Sequence, residues 1–575
     1  MKPLRVWAPK ATRLEVACRG QRHGLVREPG ARNWWRLEAV ALEESDEYML
    51  FVDGEGPFPD PRSRRQAQGV HGPSRMDSAA EFAWSDRDFR PRPLAEGLIY
   101  ELHIGTFTTA GTFSAAIERL DHLAALGVTH VELMPLAEFS GARGWGYDGV
   151  DWFAPHHHYG TPAELKALID QCHRRGLAVV LDVVYNHFGP SGNYLPRFGP
   201  YLTDRYATPW GGAVNLDGPG SDQVRRFVCD NACYWLQEYH FDGLRLDAVH
   251  AIVDSSPVHL LEQLQREVTA LQDGRPRVVI EENDRNDPRD VRPVQSGGYG
   301  LDAQWNDDFH HALHSVLTGE RSGYYSDFGT LGQLAKVLRV GYVYDGQYSP
   351  YRDRIQGRPA RGLSGNNFVG YLQNHDQIGN RAQGERSSQL MSLGRLKIGA
   401  ALVLTAPFVP MLFQGEEWGA STPFQYFSDH AEPELARAVS EGRRREFASF
   451  GWDPQSVPDP QDPATFARSK LRWEELDASP HRELLEWHRA LVQLRSASAD
   501  LQTGRMECVS VNYDEELGWM VIRRGTIAVA VNLGPRPVRL PWGAGSARML
   551  MGSTPEIGNA KDYLELPPDS VAICS

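Results

Sequence analysis

The chain has 575 residues, with 60 Lys and Arg against 74 Asp and Glu, a net charge of −14. That surplus of acid disfavours a nucleic-acid partner, and 41% apolar residues exclude a disordered or collagen-like chain. No apolar run approaches the ~18–20 residues that span a bilayer, and MKPLRVWAPKATRLEV lacks the apolar core of a signal peptide. The expectations are therefore no membrane partner and a cytoplasmic location. A neutral, hydroxyl-rich ligand stays open, and 15 Trp, 21 Tyr and 22 Phe suit one. Six Cys in so long a chain make no disulfide framework. Cys229 and Cys233, close together on an amphipathic pattern, lack a second Cys/His pair and read as buried packing rather than zinc ligands.

Taken in chain order, residues 1–90 hold short alternating runs, RVW, RLEVAC, WWRLEAV and EYMLFVD, separated by turn residues. They predict a small N-terminal β-sandwich, closed by the Pro-rich GEGPFPDPRSRRQ. From Gly97 the pattern changes to apolar strands alternating with amphipathic helices. The strands are GLIYELHI, GVTHVELMPL, LAVVLDVVY, DGLRLDAV, RVVIEEN, LDAQWND, NFVGYLQNHD and PFVPMLFQGEE. Eight such strands, most of them separated by helical segments, predict an α/β fold with a closed (β/α)8 TIM barrel over 91–490. One connecting helix is legible in detail. Thr161-Pro162-Ala163-Glu164 combines a capping box with Pro at the first helical position. Leu165, Leu168, Ile169 and Cys172 then follow helical spacing, and Gly176 stops the helix. Segment 430–490 is polar and helical, interrupted by SVPDPQDP. From 491 to the end, RMECVSVNY, GWMVIRR, TIAVAVNL and SVAICS predict a C-terminal β-sandwich.

In such a barrel the chemistry belongs where strands end and loops begin. Four strand ends carry carboxylates: Asp182, Asp247, Glu282 and Asp376. Strand alternation puts Arg245 and Asp247 on one face, so a guanidinium would lie beside that carboxylate. Glu281 and Glu282 must face opposite ways, with Val278 and Ile280 on the face of Glu282. Spacing alone does not say which glutamate reaches the barrel mouth. An ionised Asp beside Arg, with a Glu on the neighbouring strand, is what retaining glycoside hydrolysis requires: one carboxylate attacks the anomeric carbon while the other donates and later accepts a proton.

DVVYNH (182–187), GLRLDAVH (243–250), a Glu after the fifth strand and NHDQ (374–377) resemble, in order and spacing, the four signature regions of the α-amylase family of retaining α-glucan enzymes. The resemblance covers residues 97–420. It implies Asp247 as nucleophile and Asp376 as a third carboxylate that stabilises the oxocarbenium-like transition state. It further implies that Arg245 orients the nucleophile, that His187 and His375 bond the −1 sugar, and that Tyr147 stacks under it. Asp182 would be structural.

The N-terminal VWAPKA resembles the sandwich, immunoglobulin-like and carbohydrate-binding-module-like, that precedes the barrel in branching, debranching and maltooligosyltrehalose trehalohydrolase enzymes. Further strings resemble the last group: FPDPRSRRQ…GVHGPS, GWGYDGVDWFAPHHHYG, YNHFGPSGNYL, EENDRNDPR, QWNDDFHHALH and LFQGEEWG. Alignment on Asp284 and NDPR (286–289) places the general acid at Glu282, with Glu281 where that group usually has a small residue. The implied partner is maltooligosyl trehalose, cleaved at the α-1,4 bond next to its terminal α,α-1,1-linked glucose pair to release trehalose. Trp305, Tyr351 and Arg352, on loops after strands five to seven, are the candidates for the +1 and +2 subsites. The alternatives are a glycogen branching or debranching enzyme, or a non-catalytic glucan-binding protein. Neither metal nor cofactor is expected. The adjacent His156–His158 cannot all face one ion, His310 and His314 lack the Glu of HExxH, and Asn186 matches a calcium-ligating position of some α-amylases without the rest of that site.

Overall fold

The computed structural model describes residues 4–77, 82–271, 273–446, 453–541, 548–560 and 562–575. Eight parallel strands close into a barrel: β1 (Ile99–Leu102), β2 (His130–Leu133), β3 (Ala178–Val183), β4 (Gly243–Leu246), β5 (Val278–Glu281), β6 (Ala303–Trp305), β7 (Phe368–Gly370) and β8 (Val409–Phe413). Each lies within one of the eight runs picked out by apolar patterning. Every residue of β1 to β4 is buried, as a strand covered on both faces requires.

Among the connecting helices, α1 (Pro162–Arg174) carries the expected capping box. Thr161 Oγ1 accepts from Glu164 N–H, and Glu164 Oε2 accepts from Thr161 N–H at 2.8 Å. Leu165, Leu168, Ile169 and Cys172 are all buried, and Gly176 takes the left-handed φ of 76° that ends the helix. Helix α2 (Ser221–Glu238) buries Cys229, and all six cysteines are free. Helix α3 (Asp307–Thr318) follows β6, and α4 (Leu393–Thr405) leads to β8. Among the described residues, the crossover from β5 to β6 holds one 3-10 turn (Val294–Ser296) and no α-helix. Its Pro288, Pro293 and the five glycines or asparagines from 283 to 300 explain why.

Register decides which side chains fill the barrel. Asp182 pairs with Arg245, and Arg245 with Ile280. Neighbours in register point to one side of a sheet. Ile280 packs with Ile99, Trp305, Val369, Tyr371 and Met411 in one apolar cluster, the barrel interior. Its face is therefore inward, and the next residue on that face is Glu282. Glu281 points outward, where Gln304 Nε2 donates to it at 3.3 Å and burial raises its pKa well above the ordinary range. Glu281 is thus housed between barrel and surrounding segments, in a place where a smaller side chain would need no such partner.

Two antiparallel sheets precede the barrel. One contains Arg5–Trp7, Val26–Arg27 and Trp34–Arg36; the other contains Leu14–Cys18, Gln21–Gly24, Glu47–Val52, Glu55–Phe58 and Ser74–Arg75. Helix α5 (Pro433–Glu446) and helix α6 (His481–Ala497) follow β8. Helix α6 runs through the expected division at 490–491. It packs on α4, with Trp487 Nε1 donating to Lys397 O at 3.0 Å and Arg495 Nη1 to Leu404 O at 3.1 Å. The last sheets lie beyond it, with strands from Val509–Asp514 to Ser570–Cys574.

Candidate functional site

At the C-terminal end of the barrel, Arg245 is wholly buried and gathers three carboxylates. Its Nη1 donates to Asp182 Oδ2 at 2.7 Å and to Asp247 Oδ1 at 3.1 Å, and its Nη2 lies 3.0 Å from Glu282 Oε2. β4 supplies both Arg245 and, immediately past its end, Asp247. The second oxygen of Asp247 accepts from Asn186 Nδ2 at 2.9 Å, so both are fixed. The next residue, Ala248, takes a left-handed φ of 40°. A side chain seldom adopts that conformation, and here it turns the Ala248 N–H onto Glu282 Oε2 at 2.9 Å. Glu282 itself follows β5, with its N–H on Leu246 O at 3.0 Å.

Asp376 sits in the first turn of a five-residue helix, His375–Gly379, capped by Asn374, whose Oδ1 accepts from Asp376 N–H at 2.9 Å. Glu101, inward on β1, accepts from the backbone N–H of His375 at 3.0 Å and from its Nδ1. Burial favours a neutral ring, but Glu101 outweighs it and the pKa of His375 is raised. Tyr147 stacks on His375 with centroids 5.1 Å apart and donates to Asp182 Oδ2 at 2.6 Å. Gly146 makes this placement possible. Its φ is 101°, and a Cβ there would lie 2.2 Å from Pro135 O.

The cluster holds more acid than base. Burial pushes Asp182 up to about 7 against the pull of Arg245, and Asp307, accepting from Tyr371 OH at 2.6 Å, up to about 7 as well. Burial raises Asp376 too. Glu132, inward on β2 and in register with Glu101, is raised well above the carboxylate range by burial and by that neighbour. Asp182 and Asp307 are therefore poised to exchange protons near neutral pH, a perturbation that marks functional sites.

The outlying candidates separate. Trp305 is only 3% exposed, with the Arg245 guanidinium carbon 3.9 Å from its ring centroid. It lies on the inward face of β6, not on a loop, and forms the floor under Arg245. Tyr351 and Arg352 lie at the turn of a hairpin, Asp345–Ser349 with Arg354–Gly357. Tyr351 is 48% exposed, and Arg352 Nη1 donates to Asp284 Oδ2 at 2.7 Å, two residues beyond Glu282. His187 is buried, its pKa lowered to about 4 by desolvation, and the ring of Trp210 lies flat on it at 4.6 Å and 7°. Trp210, 46% exposed on the hairpin Leu202–Thr208 with Gly211–Val214, escaped the sequence reading. So did Glu101 and Asp307. A charge inside the apolar run GLIYELHI was a usable signal for Glu101; TPWGGA offered none beyond a turn.

His156 and His157 do converge. Both Nδ1 atoms reach Glu138 Oε1, at 3.1 and 2.8 Å, so neighbouring histidines can share one partner. These three form a group that could hold a metal ion, though in the present arrangement the carboxylate serves as their hydrogen-bond acceptor. His310 bonds Leu372 O and Tyr325 OH, and His314 bonds Glu320, which makes them buried structural links.

Residues 78–199 match the family described as alpha amylase, catalytic domain, and residues 504–573 match a domain of unknown function. The malto-oligosyltrehalose trehalohydrolase of Rhizobium sp. (strain M-11) is 48% identical over 99% of this chain and 96% of its own. That of Arthrobacter ramosus is 51% identical over 93% of each. A crystal structure from Salmonella typhimurium, of a protein provisionally described as an alpha amylase, superposes with a TM-score of 0.90 at 38% identity, covering 99% of this chain and 97% of the other. Near-full-length identity at this level, on a barrel whose strand ends carry the signature carboxylates, establishes that the chain belongs to the malto-oligosyltrehalose trehalohydrolases of the α-amylase family.

Proposed function

We propose that the chain cleaves the α-1,4-glucosidic bond next to the terminal trehalose unit of maltooligosyl trehalose, by double displacement. Asp247 attacks the anomeric carbon of the −1 glucose. Glu282 protonates the bridging oxygen, and trehalose leaves as a neutral disaccharide. Water then enters, Glu282 takes its proton, and the C1–Asp247 ester is exchanged for a hydroxyl of the same α configuration. Arg245 fixes one oxygen of the nucleophile and Asn186 the other, so attack needs no reorientation. The Asp376 carboxylate stabilises the developing positive charge, His375, anchored on Glu101, bonds the sugar hydroxyls, and Tyr147 presents an aromatic face. Arg352, bonded to Asp284 two residues past Glu282, and the neighbouring Tyr351 are the proposed readers of a leaving group with no free anomeric hydroxyl.

The observation that carries this reading is the convergence of Asp182, Asp247 and Glu282 on one buried guanidinium. A non-catalytic glucan-binding protein has no need of so costly an arrangement of charge. The test is a substrate panel of maltooligosyl trehalose, a maltooligosaccharide of equal length, and amylose, with products resolved by chromatography. Free trehalose from the first and little turnover of the others is expected. New branch points in amylose, or equal cleavage of the plain maltooligosaccharide, would defeat the proposal.

A further inference from the structure

Helix α5 lies outside the barrel and carries three consecutive arginines in its last turn. Arg444 and Arg445 are exposed, but Arg443 is buried. A buried arginine on a surface helix requires partners. Arg443 Nη2 donates to Gly379 O, Nη1 donates to Asn380 Oδ1 at 2.8 Å and to Glu446 Oε2 at 3.1 Å, and the guanidinium carbon lies 4.9 Å from the ring centroid of Tyr426. Gly379 and Asn380 are the last residue and C-cap of the short helix that carries Asp376. Asn380 Nδ2 in turn donates to Asp376 Oδ1 at 2.6 Å.

This chain of bonds has a direction. A guanidinium can only donate, so it selects the oxygen end of the Asn380 amide and leaves the NH2 end for the carboxylate. With no donor at 443 the amide could turn over and set its oxygen against Asp376. The helix that bears Asp376 is also pressed from below: a Cβ on Gly379 would lie 2.0 Å from Trp145. The segment leading into helix α5 is in turn fastened to the loops around the cleft. Ser191 Oγ donates to Glu432 Oε1 at 2.6 Å, Ala142 N–H donates to Asp429 Oδ2 at 2.8 Å, and Arg143 pairs with Asp429 at 2.5 Å.

We propose that Arg443 is a positioning residue for Asp376, acting through Asn380, so that the helical addition after β8 sets the geometry of the third carboxylate. The inference rests on reading Asp376 as the transition-state stabiliser. Its test measures kcat and KM on maltooligosyl trehalose, with thermal unfolding, for Arg443→Met, Arg443→Lys, Asn380→Ala, the double variant Arg443→Met/Asn380→Ala, and Asp376→Asn. Arg443→Met and Asn380→Ala should each lower kcat by ~10–100-fold, as small displacements of catalytic groups do, with KM changed by no more than about threefold. Arg443→Lys should recover part of the loss. The double variant should be no worse than the poorer single one, because both break the same chain. Near-normal kcat in Asn380→Ala, or losses that multiply in the double variant, would overturn the inference even if Asp376→Asn is inactive. Wild-type turnover in Asp376→Asn would overturn the reading of Asp376 and the inference with it. If Arg443→Met fails to fold, Asn380→Ala and Arg443→Lys decide the matter.

Discussion

The two ends of the barrel each bury a cluster of charge, and they handle it in opposite ways. At the N-terminal end His173, on α1, lies between Asp86 at 2.8 Å and Asp242 at 2.9 Å. Asp86 also takes His240 at 2.8 Å and Arg275 at 2.8 Å, and the rings of Phe89 and Trp84 stack on His173 and His240. Carboxylates there alternate with basic side chains. The hydrogen bonds from His173, Arg275 and His240 outweigh burial and hold Asp86 well below the usual carboxylate range. Asp242 and Asp86 likewise outweigh burial and raise the pKa of His173. At the C-terminal end Asp182, Glu132, Asp307 and Asp376 are all pushed up by burial around a single arginine. A balanced cluster separates its acid and base pKa values and acts as a clamp on the segment 82–90. An acid-rich cluster keeps protons close to neutral pH and is open to a substrate.

The largest effect should come from the acid-rich end. Asp247→Ala and Glu282→Gln should each lower turnover by about 10⁴-fold or more, with thermal midpoints near that of the parent. Near-parental rates in either variant would mean that this end does not do the chemistry.

The balanced end should instead respond in stability. His173→Gln removes the cation between two buried carboxylates and should cost about 3–5 kcal/mol while kcat per folded molecule is unchanged. The pH dependence has a definite sign. Because the folded pKa of His173 is raised, its contribution is complete below the free value of about 6.5 and is lost as pH climbs through the raised value. Asp86, with a depressed pKa, contributes above about 3.9 and loses this on acidification. Unfolding curves of the parent should therefore weaken on the alkaline side, and His173→Gln should flatten that limb. An unchanged alkaline limb would show that the clamp does not rest on imidazolium.

The smallest effect concerns the rim. Trp210 is exposed yet stacked on His187, which makes it a ready face for a sugar ring. Trp210→Ala should raise KM about fivefold to tenfold, corresponding to ~1–1.5 kcal/mol of lost contact, with less change in kcat. A drop in kcat alone would assign it to ordering His187 instead.

These contrasts also mark what the sequence could disclose. Strand ends, alternation and the capping box at Thr161 depend on neighbours a few residues apart, and so they were legible: the eight barrel strands appear where patterning placed them. Alternation narrowed the choice between Glu281 and Glu282 to opposite faces, but only registry with β4 and the cluster around Ile280 shows which face is inward. Trp305 stands on a strand and not on the expected loop, because a strand-end aromatic can face either way and the guanidinium that packs on it comes from β4. Arg443 lies 63 residues from Asn380, and the hairpin of Trp210 reaches His187 through a tertiary turn with no periodic pattern. Contacts of that range follow from the closed fold, not from any local run.

The central claim is that Asp247 forms the covalent bond, and it can be tested by trapping. Glu282→Gln would be supplied with an α-maltooligosyl fluoride, whose leaving group needs no protonation, then quenched, digested and examined by mass spectrometry. The account predicts a glycosyl adduct on the peptide containing Asp247, because the group that activates water is gone. An adduct on another carboxylate, or first-formed product of β configuration with no adduct, would contradict it.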